Sequence, residues 1–428
     1  MTRRRKRPNF FMWVVFGLVL LFGYYFNQVY LPAQPNPFDA TPTPTRSWES
    51  FSTEAQELFA QGKLSQAIEA YESAIASSPQ DPTLYIALAR VQVLAGLPKE
   101  AQSNAENAIL LSPNNALAHA VRAWALDFQG SDKNGEALEA IEKAIELDPE
   151  SALAHAYYTE ILIDSNLFEN YDNAAEHSKT ALALDPNLLE TRRARGYLLS
   201  TLGAEGNNYE LAVEEYKAAI DINPNIPILH MELGQNLRLL QVYDDAIKEF
   251  TLANTLNPID PEPDYFISRT YATIGEYEKA LQYAESAVTD RPNDPRYRGN
   301  YGVIFYLNFY YTDAVRELGL AVNGGTTEDG FPIQGMPLSD EPRVAEYYFT
   351  YGWALARTNQ CGEALPLAQT LQTKFPVDDG VIEAANAIIT ICQENLENPV
   401  VETSTAIEEA AGEATSTPEP ELEVTATP

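Results

Sequence analysis

The chain has 428 residues, with 28 Lys and Arg against 61 Asp and Glu, which leaves a formal net charge of −33 at pH 7. Hydrophobic residues make up 45%, enough for a large packed core, so wholesale disorder is excluded, while the acidic balance argues against duplex nucleic acid, whose phosphates need a basic face. Two Cys and four His exclude a disulfide-rich mini-domain and leave little material for metal chemistry.

Residues 3–7 are all basic, and an uncharged apolar run follows from Phe10 to Phe26, fading through Leu31. Some 17–22 helical residues would reach roughly 26–33 Å, against a hydrocarbon core of about 30 Å. This pattern predicts a basic cytoplasmic N-terminus over 1–9, a transmembrane anchor over 10–31, and a remainder outside the cytoplasm. A cleaved signal peptide fits less well, because Leu31-Pro32-Ala33 is not an A-x-A-like site. Residues 32–47 carry Pro32, Pro35, Pro37, Pro42 and Pro44 and read as an extended spacer. At the other end, Gln393 to Pro428 holds nine Glu and no Lys or Arg. Residues 397–428 therefore read as a disordered acidic tail that keeps the chain soluble.

Between these ends one proline context recurs, at Pro79, Pro113, Pro149, Pro186, Pro224, Pro258 and Pro292. The spacings are 34, 36, 37, 38, 34 and 34 residues. Twelve residues before each proline stands an Ala (Ala67, Ala101, Ala137, Ala174, Ala212, Ala246, Ala280) and five before each stands another. A pair of Ala two helical turns apart leaves one helix face small enough for a neighbouring helix to approach closely. The proline then closes the helix, since it cannot donate to the ladder.

The residues ahead of each Ala pair predict a second helix. In 227–258, Leu233-Gly234, Leu237, Ala246, Phe250, Ala253 and Pro258 stand at the positions typical of a tetratricopeptide repeat. The same register recurs as Gly196, Leu199, Ala212, Tyr216, Ala219 and Pro224, and as Tyr351-Gly352, Leu355, Ala364 and Pro376. The chain resembles the tetratricopeptide repeat (TPR) family over most of residues 48–376. That resemblance implies an all-α, right-handed superhelical solenoid of about nine helix pairs, behind the N-terminal transmembrane helix. The solenoid is expected to span 48–396, closed by a capping helix over 377–396. In the third, fourth and fifth repeats the extra residues all fall between the two helices, where stacked repeats tolerate them. Residues 323–342 are the one large interruption, either a surface insertion or a lip over one end of the groove.

No Walker loop, dinucleotide fingerprint, H-E-x-x-H or G-x-S-x-G is present, and no cofactor is expected. His119, His155 and His230 fall at the fourth position of repeats 3, 4 and 6, where they are expected to pack between repeats. They stand too far apart to share a zinc ion. His177 has no evident partner. Pairs such as Glu214-Glu215 and Asp244-Asp245 read as solvated helix faces.

In the resembled family, positions 2, 5, 9, 12 and 13 of each repeat face a concave groove. Carried onto this sequence, they give Arg90, Trp124, Arg193, Tyr197, Gln235, Arg238, Tyr265, Arg269, Tyr306 and Trp353. Arg and large aromatics dominate binding hot spots, so an acidic or C-terminal peptide is the expected ligand. Glu160, Glu190, Glu262 and Glu346 map to the same face and are the alternative partners for these arginines. The Lys and Asn pattern of the family's carboxylate-clamp members is absent. Cys361 and Cys392 lie at one edge of the stack and form either a disulfide or two buried thiols. The reading is a membrane-anchored, extracytoplasmic scaffold for protein or peptide partners, not an enzyme. A cell-envelope enzyme that processes glycosyl units or peptidoglycan, or a passive spacer, is the alternative.

Overall fold

A computed structural model of the chain describes residues 10–26, 28, 46–165, 170–203 and 205–397. An apolar helix, α1 (Phe10–Tyr25), comes first. Pairs then follow in sequence: α2 (Trp48–Ala60) with α3 (Leu64–Ser77), α4 (Pro82–Leu94) with α5 (Pro98–Leu111), and α6 (Ala116–Asp127) with α7 (Asn134–Leu147). The middle of the stack is α8 (Ala152–Asp164) with α9 (Tyr171–Leu184), α10 (Leu189–Leu202) with α11 (Asn208–Ile222), and α12 (Pro227–Leu239) with α13 (Tyr243–Leu256). Repeats 7 to 9 are α14 (Pro261–Thr273) with α15 (Tyr277–Asp290), α16 (Pro295–Leu307) with α17 (Tyr311–Asn323), and α18 (Pro342–Arg357) with α19 (Cys361–Lys374). The last helix, α20 (Asp379–Glu397), packs on both helices of repeat 9 as a cap. Within each repeat the two helices pack on each other, and consecutive repeats pack together, which is the solenoid arrangement.

The expected membrane anchor is corrected by the helix itself. Its continuous span is 16 residues, about 24 Å at 1.5 Å per residue, short of the roughly 30 Å of a hydrocarbon core. None of the described helices is long and apolar enough to cross a membrane. The single-pass placement, with the solenoid outside the cytoplasm, is therefore withdrawn. Expectations for residues 1–9, most of the 32–47 spacer and the tail beyond Glu397 fall outside the described residues.

Local sequence explains the repeat. The paired alanines are all buried, and α12 lies so close to α13 that a Cβ on Gly234 would meet the Phe250 ring at 2.6 Å. Asp81, Asn115, Ser151, Asp260 and Asp294 cap the first helices by accepting backbone N–H groups, and Pro82, Pro261 and Pro295 follow at the first helical turn. The recurrent proline also has a second use. Its carbonyl accepts from a side chain six residues later, at position 4 of the next repeat: Tyr85, His119, His155, Arg192, His230 and Arg298 all serve, at 2.8–3.2 Å. The three histidines are thus latches between repeats rather than simple packing residues.

His177 also has a partner, the Nδ1 of His155 at 2.7 Å. The His155 Nε2–H is committed to the Pro149 carbonyl, so the other ring nitrogen accepts from His177. Burial, then the neighbouring His155, lowers the His177 pKa to about 4.

The insertion is an ordered hairpin, β1 (Gly325–Thr326) paired antiparallel with β2 (Pro332–Ile333). It is tied down by Met336 N–H to the Ala321 carbonyl at 2.9 Å and by Tyr348 O–H to the Met336 carbonyl at 2.7 Å.

Candidate functional site

The first helices of the repeats line the inside of the superhelix, and in the first half that inside is filled. Trp124, on α6, is fully buried and stacks on Tyr157 with ring centroids 4.3 Å apart. Its Nε1–H donates to Glu160 Oε2 at 2.8 Å, and Arg193 Nη1 donates to the same oxygen at 2.6 Å. The other arm of Arg193 reaches Glu232 Oε1 at 2.5 Å, so one guanidinium, 4% exposed, joins repeats 4, 5 and 6. Arg90 pairs with Glu190, and Tyr197 donates to Asp164 at 2.5 Å. Glu160 and Glu190, which map to the same face in the sequence, are the partners of Arg193 and Arg90 in the structure. Trp124 and Arg193 are consequently part of the floor beneath the groove and present no surface to a ligand.

This floor gathers more carboxyl groups than one arginine can pair. Asp127, Glu160, Asp164 and Glu232 surround Arg193, and Asp127 Oδ1, Glu160 Oε1 and Glu232 Oε2 are buried without a hydrogen-bond donor among the described residues. Burial pushes Glu160 up to about 7 although Arg193 pulls it down. Asp127 is raised well above the usual carboxylate range by burial and then by Asp164 and Glu160. Arg193 stays charged: burial opposes its charge, and Glu160 and Glu232 restore it.

The superhelix closes on itself in this half. Asn223 and Asn225, in the turn after repeat 5, donate to the Phe59 and Ala60 carbonyls at the end of α2, both at 3.3 Å. At the contact point Gly62 has φ +70°, and a Cβ there would fall 2.2 Å from that of Asn225. Only glycine serves, for both reasons.

Two neighbouring pockets open along the inside and share Glu262. The first, about 380 Å³, lies where the end of α4 faces α12; Tyr197 and Gln235 line it. The second, about 510 Å³, contains Arg238, Tyr265 and Arg269, with Arg296 and Arg343 at its edge. Its outer wall is Met336, Pro337 and Ser339, so the 323–342 insertion is a lip over this pocket. Arg269 shares Glu346 with Arg343, at 3.2 and 2.8 Å, and Arg296 pairs with Glu262 at 2.9 Å. Arg238 differs. It has no carboxylate within ion-pair distance among the described residues, its Nε is buried without an acceptor, and burial and then Arg269 lower its pKa.

Tyr306 and Trp353 stand further along, 5.8 Å apart in an aromatic cluster with Phe349. Trp353 Nε1–H donates to the Ala384 carbonyl of the cap at 3.0 Å. Cys361 and Cys392 are joined as a disulfide, with Cα atoms 5.6 Å apart, tying α19 to the cap. Among the described residues no group of three His, Cys, Asp or Glu could hold a metal ion. Sequence reasoning missed Glu232 and Tyr347. Glu232 occupies position 6 of its repeat, outside the register used to pick groove residues.

Comparison with known proteins follows the same line. Models of the tetratricopeptide repeat match residues 58–125 and 197–226. No curated protein matches the chain. Among solved structures, a human IFIT1 dimer with PPP-AAAA is 13% identical with a TM-score of 0.53, over 81% of this chain and 83% of that one. A tetratricopeptide repeat protein from Parabacteroides merdae is 16% identical with a TM-score of 0.39, over 60% of this chain and 98% of that one. TTC0263, a TPR protein from Thermus thermophilus, is 24% identical with a TM-score of 0.36, over 45% of this chain and all of that one. At these identities the likeness concerns the fold alone. With the proline and alanine period, the paired helices and the matching repeat models, the chain belongs to the tetratricopeptide repeat family.

Proposed function

We propose that this protein-interaction scaffold holds an acidic segment of a partner protein in the second half of its groove, with a ligand carboxylate seated between Arg238 and Arg269. The observation that carries this reading is the unpaired Arg238. A half-buried guanidinium beside a second one is disfavoured until an anion arrives, and a carboxylate can accept from both. Tyr265 supplies aromatic surface at the same place, and the lip at Met336 and Pro337 shields the pair from water. In the first half the inner face is occupied by its own ion pairs, which supports placing the ligand beyond repeat 5.

The test is fluorescence anisotropy of the full chain with a labelled Glu-rich peptide and with its Lys-rich counterpart. The acidic peptide should bind, and Arg238→Ala should weaken it at least tenfold, about 1.4 kcal/mol. Arg195→Ala, on the outer side beside Glu215, should change nothing. Equal binding of the two peptides, or no effect of Arg238→Ala, would remove the reading. Arg193 is unsuitable for such a test, because its replacement unpairs Glu160 and Glu232.

A further inference from the structure

The smaller pocket has a chemistry of its own. It exists because the superhelix closes after one turn and brings Val93–Gly96 to face α12. Its walls are largely apolar, with Phe128, Ile228, Met231 and Leu239 among them, and its polar lining includes Glu232, Asp260 and Glu262. Among the described residues neither Lys nor Arg lines it. The size and make-up are those of a small-ligand pocket, with a mostly apolar body and a few placed polar groups.

Glu232 decides the ligand's polarity. One of its oxygens is held by Arg193, while the other, Oε2, is buried without a donor among the described residues. A buried carboxylate oxygen left unpaired carries a desolvation cost that a donor would relieve. The Arg193 guanidinium is already shared between Glu160 and Glu232, so it leaves Glu232 Oε2 without a cationic partner of its own. Phe128, Tyr197 and Tyr216 add aromatic lining, a residue type that tolerates a cation nearby.

We propose that this cavity is a binding site for a primary alkylammonium group, its aliphatic chain against Phe128, Met231 and Leu239 and its head at the Glu232 carboxylate. The same chemistry has two sources, a free alkylamine and a lysine side chain of a partner. The site is independent of the acidic-peptide reading, since it involves a different pocket and the opposite charge.

The experiment is isothermal titration of the full chain with n-hexylammonium, 1-hexanol and hexanoate. Hexylammonium should bind at least tenfold more tightly than hexanol, and hexanoate should not bind. Glu232→Gln should weaken hexylammonium at least tenfold. Because Glu232 also holds Arg193, a second variant is needed: Gln235→Trp fills the cavity from α12 and should abolish binding with the far-ultraviolet dichroism unchanged. Arg238→Ala should leave hexylammonium binding as it is, which separates this site from the neighbouring one. Nα-acetyl-lysine methylamide binding within tenfold of hexylammonium assigns the site to a lysine side chain; binding of hexylammonium alone assigns it to a free amine. Hexanol or hexanoate binding as well as the amine, absence of amine binding, or amine binding that survives Gln235→Trp would each overturn the proposal.

Discussion

Glu160 shows how a single side chain can couple the groove floor to pH. Its pKa of about 7 lies above the ordinary value of 4.5 because burial outweighs the attraction of Arg193. A carboxylate with a raised folded pKa binds more protons in the folded state than in the unfolded one. Its penalty is therefore absent below about pH 4.5 and grows as pH rises through about 7. A shift of this size corresponds to about 3 kcal/mol. Urea denaturation midpoints of Glu160→Gln and the parent should therefore draw apart between pH 5 and 8, with the parent losing stability relative to the variant. The amide cannot ionise, and titrating groups that do not sense Glu160 cancel in the difference, while Asp127, which Glu160 pushes up, shifts with it. Parallel pH profiles would show that Glu160 keeps an ordinary pKa. His177 works in the opposite direction: its lowered pKa favours folding above about pH 6.5, and that gain fades as pH falls towards about 4.

At the scale of the element, the turn between the two helices of a repeat carries its own rule. Five residues before the first conserved-spacing Ala stands a residue with positive φ: Gly62, Gly96 and Gly275, but Gln241, Phe309 and Asn359 in repeats 6, 8 and 9. Phe309 has φ +65° and is 74% exposed, so it bears the strain of a left-handed conformation with little burial in return. Phe309→Gly should raise stability by about 1 kcal/mol, read from the denaturation midpoint. A loss would mean that the contact of its ring with Tyr311, at 6.2 Å, outweighs the backbone term. The cap makes a second case. The 31-residue separation between Cys361 and Cys392 predicts about 2–4 kcal/mol from closing the loop. Cys392→Ser, or reduction, should destabilise repeat 9 and the cap, seen as faster amide exchange in α20; unchanged exchange would count against it. These local features were largely legible in the sequence, because proline, alanine and the capping residues act within a few positions of themselves. The latch to the proline carbonyl also had a fixed spacing of six, but three different donor types, His, Arg and Tyr, concealed it. The pairing of Arg193 with Glu160 and Glu232 was not legible to that degree, since 33 and 39 residues of sequence separate the partners and the pitch of the stack decides which repeat faces which. The lip was open for a related reason: a hairpin outside the repeat register has no periodic neighbour from which its packing can be inferred.

The whole molecule sets a long-range condition on any acidic ligand. The Arg238 pocket is a local positive site inside a chain of net charge −33. Within the pocket the attraction acts over a few ångströms and is partly protected from solvent, so salt weakens it only moderately. At larger separation the approaching peptide meets the summed negative field, which salt screens with a Debye length of about 30 Å at 0.01 M and about 8 Å at 0.15 M. The two ranges therefore respond differently to ionic strength. For a protein of opposite charge to its ligand, steering makes association fall with salt. Here the sign is reversed: the association rate constant of a Glu-rich peptide should rise between about 0.01 and 0.15 M salt, while its dissociation rate also rises as the local ion pairs weaken. Stopped-flow anisotropy separates the two constants. A peptide of the same length with a single Glu should show a much flatter association rate, because it carries little charge for the distant field to act on. An association rate for the Glu-rich peptide that falls with salt would mean that it encounters a positive surface before it reaches the pocket, and the seat at Arg238 would then not be where the acidic segment first meets the protein.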